Sequence, residues 1–185
     1  KMPEKTDEQK TEQEKVYQKA FEFADKSVKN GSSQSITYVR RAIANGRIAL
    51  FQGVFSAPGT VNDVKEDCEK AIQLGNGGNY VQALAHYVLG RTHAKICENS
   101  YLVRLPLGLG WGDTEEAIRL LEIANKLKPN FRMFMFELAK AYVEEDEYDK
   151  AKELLKKIEK APTVDEDDDK VLAEAKKLYE EIKNE

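Results

Sequence analysis

Residues 130–162 read NFRMFMFELAKAYVEEDEYDKAKELLKKIEKAP, two helical patterns separated by a polar turn. In the first pattern Leu138, Ala139 and Tyr142 recur at spacings that put their side chains on one face of an α-helix. The second pattern begins near Ala151, has the same kind of spacing and ends at a proline. The stretch therefore predicts two helices that pack through their apolar faces.

The same pattern occurs upstream with the period of a known helical array. Ala117 and Ala151 lie 34 positions apart, and each opens the pattern A-x-x-x-L. This period and these residue types resemble the tetratricopeptide repeat, a unit of two antiparallel helices. Small residues let the helices cross closely, and large ones fill the gaps. The matching positions are Leu89, Gly90, Ala117, Leu121, Ala124 and Pro129 in one unit, and Met135, Leu138, Ala139, Tyr142, Ala151, Leu155 and Pro162 in the next.

The whole chain is expected to be one all-α domain, a tetratricopeptide-like α-solenoid of about three helical hairpins. No segment shows the alternation of apolar and polar residues that is typical of a strand. The expected units are an N-terminal helix at 1–30, a degenerate hairpin at 33–75, a hairpin at 79–129 with an insert at 98–112, the best-matching repeat at 130–162 and a C-terminal capping helix at 163–185.

Individual residues predict details of these helices. Asp113 and Thr60 each precede a helical pattern and are followed three residues later by an acidic residue, so both are expected to be N-caps. In the second helix the apolar residues through Leu50 are expected to face the core. Gly46 in the same helix costs about 1 kcal/mol relative to alanine, unless a neighbouring helix approaches closely there.

Two narrower families also resemble the chain. The resemblance rests on Leu89-Gly90-Arg91, on the segment from Pro106 to Asp113 and on Ala117. One family is the T component of TRAP-type transporters, a periplasmic lipoprotein, and the other is the regulator of microtubule dynamics family. For both, the resemblance implies a helical body with an apolar ligand groove or pore.

The insert is the first candidate for a functional site. Tyr101, Leu105, Leu107 and Trp111 make it too apolar for a free loop, and its length is typical of functional segments. Three roles stay open: a lid or wall of an apolar ligand site, a contact between copies of the chain, or a plug that belongs to the core.

Arg40 and Arg47 in the second helix are the second candidate. Repeat arrays often display such charges on a concave face to bind carboxylates of a partner. Asn45 and Lys95 are further candidates for that face, and the alternative is a solvated surface.

Several functions are excluded or disfavoured by the sequence. A net charge of −4 argues against nucleic-acid binding, and no stretch is long and apolar enough for a membrane span. His86, His93 and Cys97 share one helical face, but their spacing is too wide for a zinc site and a fourth ligand is missing. Cys68 and Cys97 are expected to be buried thiols.

The function expected from these observations is non-catalytic. No set of nucleophile and base is apparent, so we expect neither an enzyme nor a cofactor, and a scaffold that binds a protein partner on its concave face is the leading hypothesis. The alternative is an accessory protein whose insert walls a pocket for an apolar small molecule. A homo-oligomer is possible and would favour this alternative. The first residues, Lys1 to Lys5, lack the pattern of a signal peptide. The protein could be exported after loss of a signal, lipid-anchored in the periplasm, or cytoplasmic.

Overall fold

The chain is all-α in a computed structural model that describes residues 6–185. This range holds no strand, so the predicted all-α class is confirmed. Residues 1–5 of the predicted N-terminal helix lie outside the described residues. The helices are α1 (Asp7–Lys29), α2 (Ser35–Gln52), α3 (Pro58–Leu74), α4 (Gly78–Cys97), α5 (Tyr101–Arg104), a 3-10 turn (Leu105–Leu107), α6 (Thr114–Leu127), α7 (Arg132–Glu144), α8 (Tyr148–Lys160) and α9 (Asp168–Ile182).

Side-chain caps begin two of these helices. Thr6 Oγ1 accepts a hydrogen bond from the Gln9 amide, and the Gln9 side chain accepts one from the Thr6 amide. Asp113 Oδ1 accepts a 2.7 Å hydrogen bond from the amide of Glu116, as predicted. The predicted cap at Thr60 is wrong. Helix α3 already begins at Pro58, because proline suits the first turn, where an amide proton has no helical partner.

The helices pack as successive hairpins. α2 packs on α3, α4 on α6, and α7 on α8, while α1 lies on α2 and α9 lies on α7 and α8. The first helices of the hairpins also contact one another, α2 with α4 and α4 with α7. They form one layer, which we call the first layer.

A close helix crossing lies at Gly90. An ideal Cβ at this position would be 2.9 Å from Leu121 Cγ and 3.0 Å from the carbonyl oxygen of Ala117. Glycine therefore lets the backbones of α4 and α6 approach where no other residue would fit without a shift. The other matched positions of the two repeats are buried, apart from the exposed Pro129 and Pro162: Leu89, Ala117, Leu121, Ala124, Met135, Leu138, Ala139, Tyr142, Ala151 and Leu155.

The last helix covers the end of the array. Val171, Ala175 and Ile182 of α9 are buried in the same apolar cluster as α7 and α8. The segment before α9 is held by the buried guanidinium of Arg132, which donates a 3.1 Å hydrogen bond to Thr163 Oγ1. Stacked helical units need such a cover, because the last one would otherwise expose its apolar face.

The insert at 98–112 is folded onto the array. It contains α5 and the 3-10 turn, followed by Leu109, which is fully buried against Val61, Ile96 and other apolar residues of α2–α4. At Gly112 a Cβ would lie 2.5 Å from Ile96 Cγ2. This end of the insert is therefore packed as tightly as a helix crossing.

Candidate functional site

A groove opens on the first layer between α2 and α4; we call it the α2–α4 groove. Its wall on α2 consists of Ile43, Gly46, Arg47 and Leu50 together with Ala49. The first four lie at i, i+3, i+4 and i+7, so they form one helical face. The expectation that Leu50 faces the core is wrong: it lines the groove and is 39% exposed.

The opposite wall is a face of α4. Its residues again follow helical spacing. One residue between α2 and α3, two of α3 and one of α7 complete the floor. The lining beyond α2 is Leu84, Tyr87, Val88, Arg91, Thr92 and Lys95 of α4, with Val54, Val61, Val64 and Met133. The groove has a volume of about 190 Å³, so it can hold a side chain of a partner.

Gly46 keeps this groove open. Nothing lies within 4 Å of the position that a Cβ would occupy there. No neighbouring helix approaches it, in contrast to Gly90. Glycine inside a helix lowers the stability of the helix, and at Gly46 no packing contact compensates for that loss. The effect of Gly46 in the structure is the empty space above α2.

Every charged residue that lines the α2–α4 groove is basic, although the chain carries a net charge of −4. Two of the three cations are paired: Arg91 Nε lies 3.4 Å from Glu137 Oε1, and Lys95 Nζ lies 2.6 Å from Glu98 Oε2. Within residues 6–185, the exposed Arg47 makes no ion pair and no hydrogen bond. Its charge is thus available to an anion.

A second groove continues the first across α2; we call it the α1–α2 groove. Ile43 and Arg47 line both grooves, which makes them continuous. Arg40 lines the second groove together with Ala20 and Phe23 of α1, and Phe23 is 68% exposed. Arg40 has no ion pair or hydrogen bond with any residue of the described range. The two candidate arginines of the sequence therefore lie along one continuous surface.

The candidate residues of the insert lie elsewhere. Leu107 and Trp111 pack half-buried into the apolar cluster around Leu109, whereas Tyr101 and Leu105 are about half exposed. None of the four lines the α2–α4 groove. The structure thus does not bring the insert and the two arginines into one site.

Trp111 joins the insert to α3 and α4. Its Nε1 donates a 2.8 Å hydrogen bond to Asn62 Oδ1, and its ring meets the ring of His93 edge-on, with centroids 4.9 Å apart. His93 Nδ1 accepts a 3.2 Å hydrogen bond from the Asp113 amide. Burial lowers the pKa of His93 below its usual value, so this histidine is neutral at pH 7 and serves packing.

Burial shields the thiol of Cys68 and the phenol of Tyr87 from solvent. Cys68 is fully buried, and burial raises the pKa of its thiol, whereas Cys97 is half-buried, contrary to expectation. Burial also raises the pKa of Tyr87, whose hydroxyl accepts a 3.5 Å hydrogen bond from Arg91. In the part of the chain that the structure describes, no group of His, Cys, Asp and Glu is placed to hold a metal ion.

Sequence reasoning missed part of the groove and misplaced one residue. Asn45 is buried rather than displayed, because the spacing of the groove face on α2 skips it. Tyr87 and Arg91 were not candidates, although their spacing from Lys95 on α4 could have placed them on the same face. Of the helices within residues 6–185, none combines the length and apolar character that a membrane crossing requires.

A comparison with protein families gives the context of this site. The profile of the family described as regulator of microtubule dynamics protein 1-3 matches residues 1–183. A comparison with individual curated proteins finds no match. The family match agrees with one of the two narrower resemblances seen in the sequence and lends no support to the transporter T component.

Proposed function

The chain belongs to the regulator of microtubule dynamics protein 1-3 family, and from this membership we propose that it is a non-catalytic module that binds a protein partner through the α2–α4 groove. The proposal takes this groove to be the concave binding face of the array. Binding of the partner would be its contribution to microtubule regulation. The observation that carries the proposal is the groove itself, open to solvent, with an apolar floor and a basic rim.

The composition of the groove supports binding rather than catalysis. Its described lining holds aliphatic side chains, one tyrosine hydroxyl, one threonine and three cations. A protein interface commonly combines an apolar centre with a polar rim in this way. Stacked helical repeats also use their extended inner surfaces for recognition.

A glycine substitution tests the proposal in cells depleted of the protein. Gly46→Leu fills the groove, and because no atom lies within 4 Å of its Cβ position, the helix should fold normally. Gly59→Leu is the matched control: Gly59 also lies in a helix with open space around it but does not line the groove. Circular dichroism of both purified variants checks that the helices are intact.

The readout is the rate of microtubule growth and the frequency of catastrophe after re-expression at equal abundance. Wild type and Gly59→Leu should restore both values, whereas Gly46→Leu should not. Full restoration by Gly46→Leu would show that the groove is not the site through which the protein acts on microtubules.

A further inference from the structure

The volume of the α2–α4 groove limits what part of a partner can enter it. A closed apolar cavity of roughly 150 Å³ admits a benzene molecule, and the groove offers about 190 Å³. The space above Gly46 therefore suits one bulky apolar side chain, such as that of phenylalanine or leucine. Single anchors of this kind often dominate the binding energy of an interface.

The cations along the grooves define the charge of the partner. Arg40 and Arg47 stand seven positions apart on α2, hence about 10 Å apart along the helix axis. Both are exposed and have no anionic partner in residues 6–185, and no acidic residue lines either groove. Guanidinium groups bind carboxylates in paired hydrogen bonds. Carboxylates at a similar spacing on a partner would match this row.

We propose that the grooves bind an acidic segment of the partner protein, with one bulky apolar residue anchored over Gly46 and carboxylates paired with Arg47 and Arg40. This inference rests on the proposed function and names the chemistry of its partner. The two unpaired arginines, Arg40 and Arg47, follow one another along α2 and line two continuous, open grooves. That arrangement suits a chain of carboxylates better than the single headgroup of an anionic lipid.

A displayed library of random peptides, selected on the immobilised full chain, tests the proposal and requires no candidate partner. The enriched peptides should share a bulky apolar residue with Asp or Glu on either side. Replacing that apolar residue by alanine, or the acidic residues by their amides, should weaken binding of a synthetic copy about tenfold or more, since contacts to charged groups and buried anchors contribute at least that much.

Variants of the protein locate the bound peptide. Gly46→Leu and Arg47→Glu should each lower the affinity about tenfold or more. Gly59→Leu and Lys126→Glu are the matched controls, because Gly59 lies outside both grooves and Lys126 is an exposed lysine of α6. Both controls should bind like the wild type.

The outcomes separate this inference from the proposed function. Groove-dependent binding of neutral or basic peptides would overturn the inference and leave the proposed function standing. Peptides that bind Gly46→Leu and Arg47→Glu as tightly as they bind the wild type would contradict both the inference and the proposed function. The wild type could instead sediment with phosphatidylserine vesicles and not with phosphatidylcholine vesicles. Loss of this sedimentation in both variants would assign the groove to a lipid. Self-association lost in Arg47→Glu would assign it to a second copy of the chain.

Discussion

At the scale of single residues, two glycines in the middle of helices have opposite surroundings. A Cβ on Gly90 would meet Leu121 and a carbonyl oxygen at about van der Waals overlap, whereas a Cβ on Gly46 would meet nothing within 4 Å. At both positions glycine disfavours the helix relative to alanine for the same reason, its greater backbone freedom in the unfolded chain. Their difference must therefore come from the folded state.

The same substitution should accordingly have opposite effects at the two positions. Gly46→Ala should raise the free energy of unfolding by about 0.5–1 kcal/mol. Gly90→Ala should lower it by about 1–2 kcal/mol, because overpacking of the α4–α6 crossing outweighs the gain in propensity. Urea denaturation measures both changes. Shifts of the same sign would contradict the assigned surroundings.

The sequence predicts one of these glycines and not the other. Gly90 falls on a slot of the repeat pattern where a small residue is required, so its close packing follows from the period. Gly46 falls on no slot, and its surroundings depend on how far α2 and α4 stand apart. That distance is set by side chains of other helices, which periodicity does not describe.

At the scale of helices, α1 packs on α2 but buries little of its own surface. Ala24 is its only buried residue in the described range. Arg41 of α2 donates a 2.9 Å hydrogen bond to Asp25 of α1 and two, of 2.7 and 2.8 Å, to the buried Asp67 of α3. Hydrogen bonds from Lys29 and Arg41, together with their positive charges, hold the pKa of Asp25 below its usual value. Loss of Asp25 thus weakens the link between α2 and α1 and leaves the ion pair of Arg41 with Asp67 intact.

Asp25→Ala should therefore loosen α1 alone. We expect amide hydrogens of α1 to exchange about fivefold faster, which corresponds to about 1 kcal/mol for a partly exposed ion pair. Exchange in α7 and α8 should not change. Glu22→Ala, an exposed acid of the same helix, is the control for the altered helix charge. Faster exchange throughout the chain would show that α1 is part of one cooperative core.

The insert shows the limit of sequence reasoning at this scale. Its apolar composition indicated that it is not a free loop, and the structure packs one end of it into the core. The sequence could not choose between a wall of a ligand site, a contact between copies of the chain and a core plug. The choice depends on contacts such as the hydrogen bond from Trp111 to Asn62, two residues that lie 49 positions apart along the chain.

At the scale of the whole molecule, α9 is the cover of the array. Ending the chain at residue 162 would expose Leu155, Ile158 and their neighbours, which now pack in one cluster with Val171 and Ala175. We expect the free energy of unfolding to fall by about 3 kcal/mol or more, because two or more apolar side chains lose their burial. The truncated chain should melt at lower temperature and self-associate, as thermal melting and light scattering would show.

The control for this truncation is Lys177→Ala, on the outer face of α9, where the side chain of Lys177 is 81% exposed. It should leave the melting temperature unchanged. A truncated chain that melts like the full chain would mean that α9 contributes no cover.

The sequence anticipated the pairing of the helices better than the α2–α4 groove. Repeated spacing reports which helices pair, because each pairing lies within one period. The groove needs one face of α2 and one of α4, and both faces show the same spacing as faces that are buried. Arg40 and Arg47 were identifiable as candidates because they are charged, whereas the apolar groove residues between them resembled core.

The position of Trp111 gives the protein a built-in optical reporter. It is the only tryptophan of the chain, and it sits at the joint between the insert and the array, beside His93 and hydrogen-bonded to Asn62. Release of the insert would expose the indole ring of Trp111 to water and shift its fluorescence emission to longer wavelength. Unlabelled protein can therefore report undocking of this joint separately from the loss of helix, in the same cuvette and during the same melt.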